Sequence, residues 1–162
     1  MENSRFKFRV LITVPITRDV EEEKEVSFYI YDIALYNDGG VGFSRDSLLE
    51  VLDKLNLTEG QRNEIEDYIS DNSYSEDWEW YTISFDIIEQ CTGLKDRNGR
   101  LIYAGDILGN KDFMSDVALL KYSNEKCCYI LERRSVDEFF NKWWADRLMV
   151  IGNIHENKEL LK

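Results

Sequence analysis

A single histidine, His155, limits the proton chemistry open to this 162-residue chain. Any Ser–His–Asp or Cys–His arrangement must be built around it, and no nucleophile elbow brackets a serine or cysteine. His155 follows the strand-like Ile154 and reads as a surface or structural histidine. The cysteines, Cys91, Cys127 and Cys128, do not make a zinc site: structural zinc needs four Cys or His ligands, and adjacent Cys127 and Cys128 in a strand point to opposite faces. Asp71, Ser73 and Ser75 alternate as in a calcium loop, but Glu76 stands where that loop needs glycine. There is no glycine-rich phosphate cradle ending in Gly-Lys-Ser/Thr. No catalytic residue, metal or cofactor is therefore expected. Thirty-two Asp and Glu make many accidental carboxylate pairs, so a hydrolase working through carboxylates stays open as an alternative.

Those residues must be held by a folded scaffold, and the composition supplies one. Hydrophobic residues make up 43% and charged residues 32%, with one Pro and nine Gly, which excludes disordered and collagenous classes. An odd cysteine count suits a reducing cytoplasm better than a disulfide framework. No signal-peptide pattern opens the chain, and no window reaches the roughly eighteen apolar residues of a membrane span. The net charge of −12 argues against a wide basic surface and hence against direct nucleic-acid binding.

That charge is unevenly spread. Residues 1–88 carry 8 Lys and Arg against 20 Asp and Glu, whereas residues 89–162 carry 12 of each. One reading is a solvated acidic face that keeps the protein soluble. The sharper one is an acidic surface aimed at a basic partner.

Val10, Ile12, Val14 and Ile16 continue a strict alternation from Phe6 and Phe8, the signature of a half-buried strand, with Pro15 near its end. Residues 18–25 form an exposed connection, residues 26–36 a second strand, and Asn37-Asp38-Gly39-Gly40 a turn. Ser44 can cap a helix bearing Leu48, Leu49, Leu52 and Leu55. Thr58 and Gln61 form a capping box for a second helix, which places Ile65, Tyr68 and Ile69 inward and leaves Glu64, Glu66 and Asp67 in water. A polar loop over 71–77 leads to a strand over 78–88, with Tyr81, Ile83, Phe85 and Ile87 on one face and Trp78 and Trp80 on the other.

Beyond a turn at 96–99, strands are expected at 101–103 and 107–108, with a hairpin from 117–122 to 128–131. A capping box at Ser135 and Glu138 should open a short helix carrying Phe139, Phe140, Trp143 and Trp144. A last strand spans 148–154, and Asn157 can cap a terminal half-turn. Gly105 and Gly152 suit corners or bulges. Tandem tryptophans cannot both fill one core, so Trp143 and Trp144 are candidates for a partner surface or a self-association contact. The fold class expected is α+β: a small, strongly bent antiparallel sheet or SH3-like barrel with an inserted acidic helical pair and one short later helix. The chain reads as one compact unit, 1–162, with an acidic part over 1–88 and a β-rich part over 89–162.

Two stretches carry a more specific signal. The first runs Gln90-Cys91-Thr92-Gly93-Leu94-Lys95-Asp96-Arg97-Asn98-Gly99-Arg100-Leu101-Ile102-Tyr103-Ala104-Gly105-Asp106-Ile107. The second runs Val150-Ile151-Gly152-Asn153-Ile154-His155-Glu156-Asn157-Lys158-Glu159-Leu160-Leu161. In order and spacing they resemble the YopX family of phage and prophage proteins, departing from it at Cys91 and Lys158. Residues 10–88 resemble it little, so the acidic helical region looks like this chain's own elaboration.

The resemblance implies a small β-rich protein of a mobile element, working in a bacterial cytoplasm, and it carries no catalytic residues over. Gly93, Asp96, Gly99, Gly105, Asp106, Gly152 and Asn153 read as structural. The expectation is a non-enzymatic accessory protein that binds a host macromolecule. In its sharpest form, Glu59, Glu64, Glu66, Asp67, Asp71, Glu76 and Asp77 imitate nucleic-acid phosphates before a basic groove of a host protein. The rivals are the carboxylate hydrolase and a self-associating structural protein.

Overall fold

A computed structural model describes residues 7–17, 20–22, 24–31, 33–36, 40–75, 80–84, 87–110, 113–133 and 136–162, with backbone alone at 80, 82–84 and 113–116. The expectations for Phe6, the turn at 37–39, Glu76, Asp77, Trp78, Phe85 and Ser135, and for the side chains of Trp80 and Ile83, fall outside that description. The fold is α+β, with a strongly curled antiparallel half-barrel sheet and three α-helices among the described residues. The described chain divides into two compact units, Phe8–Ile88 and Glu89–Lys162, the latter joined by Lys7. Lys7 belongs there because its carbonyl accepts from Cys91 N at 2.9 Å. The division coincides with the change in charge balance along the sequence.

In the first unit, β1 (Phe8–Ile16) and β2 (Lys24–Tyr31) pair antiparallel, Val10 opposite Ile30 and Ile12 opposite Phe28. Val10, Ile12, Val14 and Ile16 are buried, as the alternation requires. Arg9 is buried as well, at 1% exposure, with its guanidinium carbon 4.2 Å from the Tyr29 ring centroid. A cation on a ring face in a dry setting is stabilised by the ring quadrupole.

The second strand is shorter than its apolar run suggests, and residues 34–36 turn to other pairing. β3 (Ala34–Leu35) pairs with β4 (Gly40–Ser44), which pairs in turn with β5 (Trp80–Ser84). The sequence reading has no strand at β4. Its two glycines hide the pattern, yet Val41 and Phe43 are fully buried, and tertiary pairing overrides weak local propensity.

Helices α1 (Arg45–Leu52) and α2 (Glu59–Asp71) lie between the paired strands β4 and β5. Ser44 Oγ accepts from Ser47 N, and Thr58 with Gln61 completes both halves of the expected capping box. Leu48, Leu52, Ile65 and Ile69 are buried at 1% exposure or less, each contributing about 1.5–3 kcal/mol of transfer free energy. Tyr68, expected inward, is 37% exposed instead. The inward stripe is the narrower pair Ile65 and Ile69, four residues apart, and Tyr68 lies at its edge.

The second unit is organised by a five-stranded sheet. Its strands are β8 (Asp106–Asn110), β9 (Phe113–Ser123), β10 (Cys128–Glu132), β11 (Asp137–Phe139) and β12 (Met149–Asn153), in the order β11-β10-β9-β8-β12. β6 (Ile88–Lys95) and β7 (Leu101–Tyr103) pair beside the motif turn, Cys91 opposite Tyr103. Gly152 stands where the β12–β8 register shifts. Ile102, Leu108, Ala118, Leu120, Leu131, Ala145 and Leu148 form the core.

The helix expected from Ser135 is different in kind. Asp137–Phe139 forms an edge strand with Phe139 opposite Ile130, and α3 covers only Lys142–Ala145. Its cap is Asn141, whose Oδ1 accepts from Trp143 N at 2.9 Å. Pairing with β10 and a better cap nearer the tryptophans displace the Ser135 start. A 3-10 turn covers Lys158–Leu161. Asn157 precedes it without capping it, because its Oδ1 accepts from Asn153 N instead.

Candidate functional site

Three polar residues of the two motifs, Asp96, Asp106 and Asn153, are engaged inside the second unit together with Glu89, which precedes the first motif. Asp96, 6% exposed, accepts from Asn98 N at 2.8 Å and Arg100 N at 2.9 Å through Oδ1, and from Val150 N at 3.0 Å through Oδ2. One carboxylate thus closes the 96–99 turn and fastens it to β12 across 54 residues. Asp106 is fully buried and accepts from Tyr103 N at 2.8 Å. Asn153 accepts from His155 N at 2.8 Å and donates from Nδ2 to both oxygens of buried Glu89 at 3.4 Å. Glu89 Oε1 also lies 3.5 Å from His155 Nε2. Gly93, Gly99 and Gly105 have φ of 80°, 85° and 87°.

The candidate acidic residues are not equivalent. Glu64 accepts from Thr17 N at 3.0 Å through each oxygen, and from Thr17 Oγ1 at 2.7 Å. Glu66, 20% exposed, lies 3.4 Å from Arg45 and 3.3 Å from Arg62, which also reaches Asp53 at 2.5 Å. Hydrogen bonding to Asp53, ahead of its other neighbours, holds the Arg62 guanidinium above its ordinary proton affinity. Glu64 and Glu66, expected in water, are therefore engaged within the chain. Glu59, Asp67 and Asp71 are exposed on α2. Glu59 and Asp71 stand at its opposite ends, about 18 Å apart along the axis at 1.5 Å per residue.

The tryptophan pair makes the most distinctive surface. Trp143 is 52% exposed and Trp144 half-buried, and their rings meet edge to face at 4.6 Å between centroids. The Arg147 guanidinium carbon sits 4.0 Å from the Trp143 centroid, and Arg147 Nη1 donates to Trp143 O at 3.1 Å. Arg133 stands over Trp144 at 4.7 Å. α3 is placed against the motif turn by a backbone bond from Arg97 N to Leu148 O at 3.1 Å. Between them opens a surface cavity of about 680 Å³, shared by the Arg97 turn, Asn110 at the end of β8, and the α3 segment through Leu148. Such a volume falls in the range of small-ligand pockets.

Trp143 and Trp144 stand out in the sequence, whereas the cations that accompany them do not. Arg147 was within reach, since it follows Trp143 by four residues. Arg97 was not, because fifty residues separate it from Leu148. Among the described residues no group of His, Cys, Asp and Glu is placed to hold a metal ion. Cys127 is exposed, Cys128 half-buried and Cys91 buried.

A family model described as YopX protein matches residues 46–162. With well over half the chain matched, the protein belongs to the YopX family. The matched range begins inside α1 and includes α2, which corrects one expectation: the helical pair is part of what the family shares, and is not this chain's own elaboration. No curated protein matches the chain. No helix among the described residues is long and apolar enough to cross a membrane.

Proposed function

We propose that this YopX protein is a non-enzymatic accessory protein of a phage or prophage, acting in the bacterial cytoplasm by binding a host macromolecule. The observation that carries this reading is Trp143, half exposed on a cavity whose arginines face solvent, while Asp96, Asp106, Asn153 and Glu89 are engaged in internal hydrogen bonds. Large amphipathic rings and arginine are the side chains that concentrate binding free energy at interfaces. The narrower idea of phosphate imitation by α2 draws less support, because Glu64 and Glu66 meet partners of the same chain.

Affinity capture from host lysate, wild type against a Trp143→Ala/Arg147→Gln variant, tests the reading. Specific partners should be lost from the variant and retained by a Glu59→Gln/Asp71→Asn variant. The reverse pattern would return the function to the acidic helix.

The hydrolase alternative has one arrangement in its favour, the Glu89–His155 pair. An activity screen with and without divalent metal, in which His155→Ala abolishes turnover, would establish it. Self-association is opposed by the edge strand β11, three residues long with two acids, a composition that blunts edge pairing. Light scattering at high protein concentration checks that point.

A further inference from the structure

The cavity beside α3 offers chemistry that a general partner surface does not need. Its walls bring a stacking plane, Trp143, beside two guanidinium groups, Arg97 and Arg147. Neither arginine meets a carboxylate within ion-pair distance among the described residues. Asp146, the one acid of the cavity, is paired with Lys142. The local balance is therefore cationic although the chain as a whole carries −12. Charges screen over about 8–10 Å at ordinary salt, so local sign decides what enters a small site.

From this we infer that the cavity binds a nucleoside phosphate, its base stacked on Trp143 and its phosphate held by Arg97 and Arg147. This rests on the reading that the α3 surface is the binding site, and it names what that surface recognises. Each part of the ligand has a counterpart. The base has an aromatic plane whose far side is already backed by a guanidinium, an arrangement favourable for stacking. The phosphate has Arg97, whose planar guanidinium suits bidentate contact, and the remaining N–H edge of Arg147, whose face is stacked on Trp143 and whose Nη1 donates to Trp143 O. The sugar and base edge have the acceptor oxygens of Asp146, which keep lone pairs beyond its pair with Lys142. An acidic peptide would use the arginines but leave those acceptors and the ring face without a role.

A single nucleotide also removes the objection from net charge. A duplex footprint needs a stripe of cations to neutralise many phosphates, whereas one unpaired nucleotide needs only the two present. The shared chemistry is the nucleoside phosphate, either free or as a unit of a single strand.

The test uses the full chain and four probes: thymidine monophosphate, an eight-residue oligothymidylate, a polyglutamate peptide and inorganic phosphate. Binding is read by intrinsic fluorescence and by the Trp143 indole N–H resonance. A nucleotide probe should quench fluorescence and move that resonance. Trp143→Ala should weaken it about tenfold or more. Arg97→Gln with Arg147→Gln should flatten the salt dependence of oligonucleotide binding by roughly 1.4 in log–log slope, and Arg100→Gln should change neither. Monophosphate binding as tightly as the oligomer assigns a free nucleotide; a large gain with the oligomer assigns a strand. An unmoved indole resonance in the wild-type protein under saturating nucleotide, or polyglutamate binding where nucleotides do not, overturns the inference while leaving partner capture through Trp143 intact. Loss of that capture difference as well would overturn both.

Discussion

A Cβ atom built on Gly105 would lie 1.6 Å from Oε1 of Glu89. The buried carboxylate thus occupies the space that any other residue at position 105 would claim. Its position is held by Asn153 Nδ2, and Ile154 N donates to the Gly105 carbonyl at 2.9 Å. Gly105 also has φ of 87°, a conformation costing an L-residue about 1–2 kcal/mol. Gly105→Ala should therefore combine backbone strain with displacement of a buried charge, lowering stability by about 3 kcal/mol or more. Chemical denaturation would measure it, and a loss under 1 kcal/mol would show that Glu89 rotates away without cost.

Asp96 offers a second check on the scaffold. Its carboxylate accepts from three backbone N–H groups, and hydrogen bonds to a charged acceptor contribute about 1.5–3 kcal/mol each at best. Asp96→Ala should destabilise the protein by roughly 2–4 kcal/mol. Asp96→Asn, which keeps an acceptor oxygen but brings an NH₂ against a backbone N–H, should fall between alanine and wild type. Equal stability for all three would remove Asp96 as the fastening of the turn to β12.

Alkaline pH should act through Tyr81. Burial pushes its phenol above the usual tyrosine value, with Arg45 opposing the rise. In the unfolded chain the same phenol ionises near pH 10. A group whose proton affinity is higher in the folded state contributes stability that is fully present below the unfolded value. That contribution is lost as pH climbs from about 10 through the folded value. The wild type should thus lose stability above pH 10 by up to about 1.4 kcal/mol per pH unit more than Tyr81→Phe. Parallel profiles for the two proteins would contradict the assignment.

The cysteines should separate by reactivity. Cys127 is exposed in a turn at φ 51°, whereas Cys91 is buried at 1% exposure. A thiol reagent should modify Cys127 fast in the native protein and reach Cys91 only on unfolding. Cys127→Gly should also relieve the left-handed backbone and raise stability by about 1 kcal/mol. Native-state labelling located by mass spectrometry would decide the first point.

How much of this was readable from the sequence follows the range of the interactions involved. The alternation Val10-Ile12-Val14-Ile16 and the Thr58/Gln61 capping box are local patterns, and both elements stand where those patterns put them. Elements set by distant partners escaped. β4 is recruited by β5 across the helical pair, and β11 is drawn from helix to strand by β10. Arg9 alternates with apolar residues and reads as solvent-facing until Tyr29 is seen against it. The α3 cavity joins an arginine of one motif turn to a tryptophan outside either motif, a proximity no local spacing encodes.

Glu64 brings the acidic helix to a decisive comparison. It looks like one more solvated acid on α2, yet its two oxygens take both donors of Thr17. Thr17 immediately follows β1, so this carboxylate closes the end of a strand that would otherwise leave an N–H without a protein acceptor. A charge bound in this way stabilises the end of β1 and is already engaged within the chain. Glu64→Ala should therefore lower stability by about 1–3 kcal/mol. Glu59→Gln and Asp71→Asn, exposed at the two ends of the same helix, should stay within roughly 0.5 kcal/mol of wild type. If Glu64→Ala left the melting temperature unchanged and instead abolished partner capture, the carboxylate would belong to a recognition surface and the structural role assigned to it would be wrong.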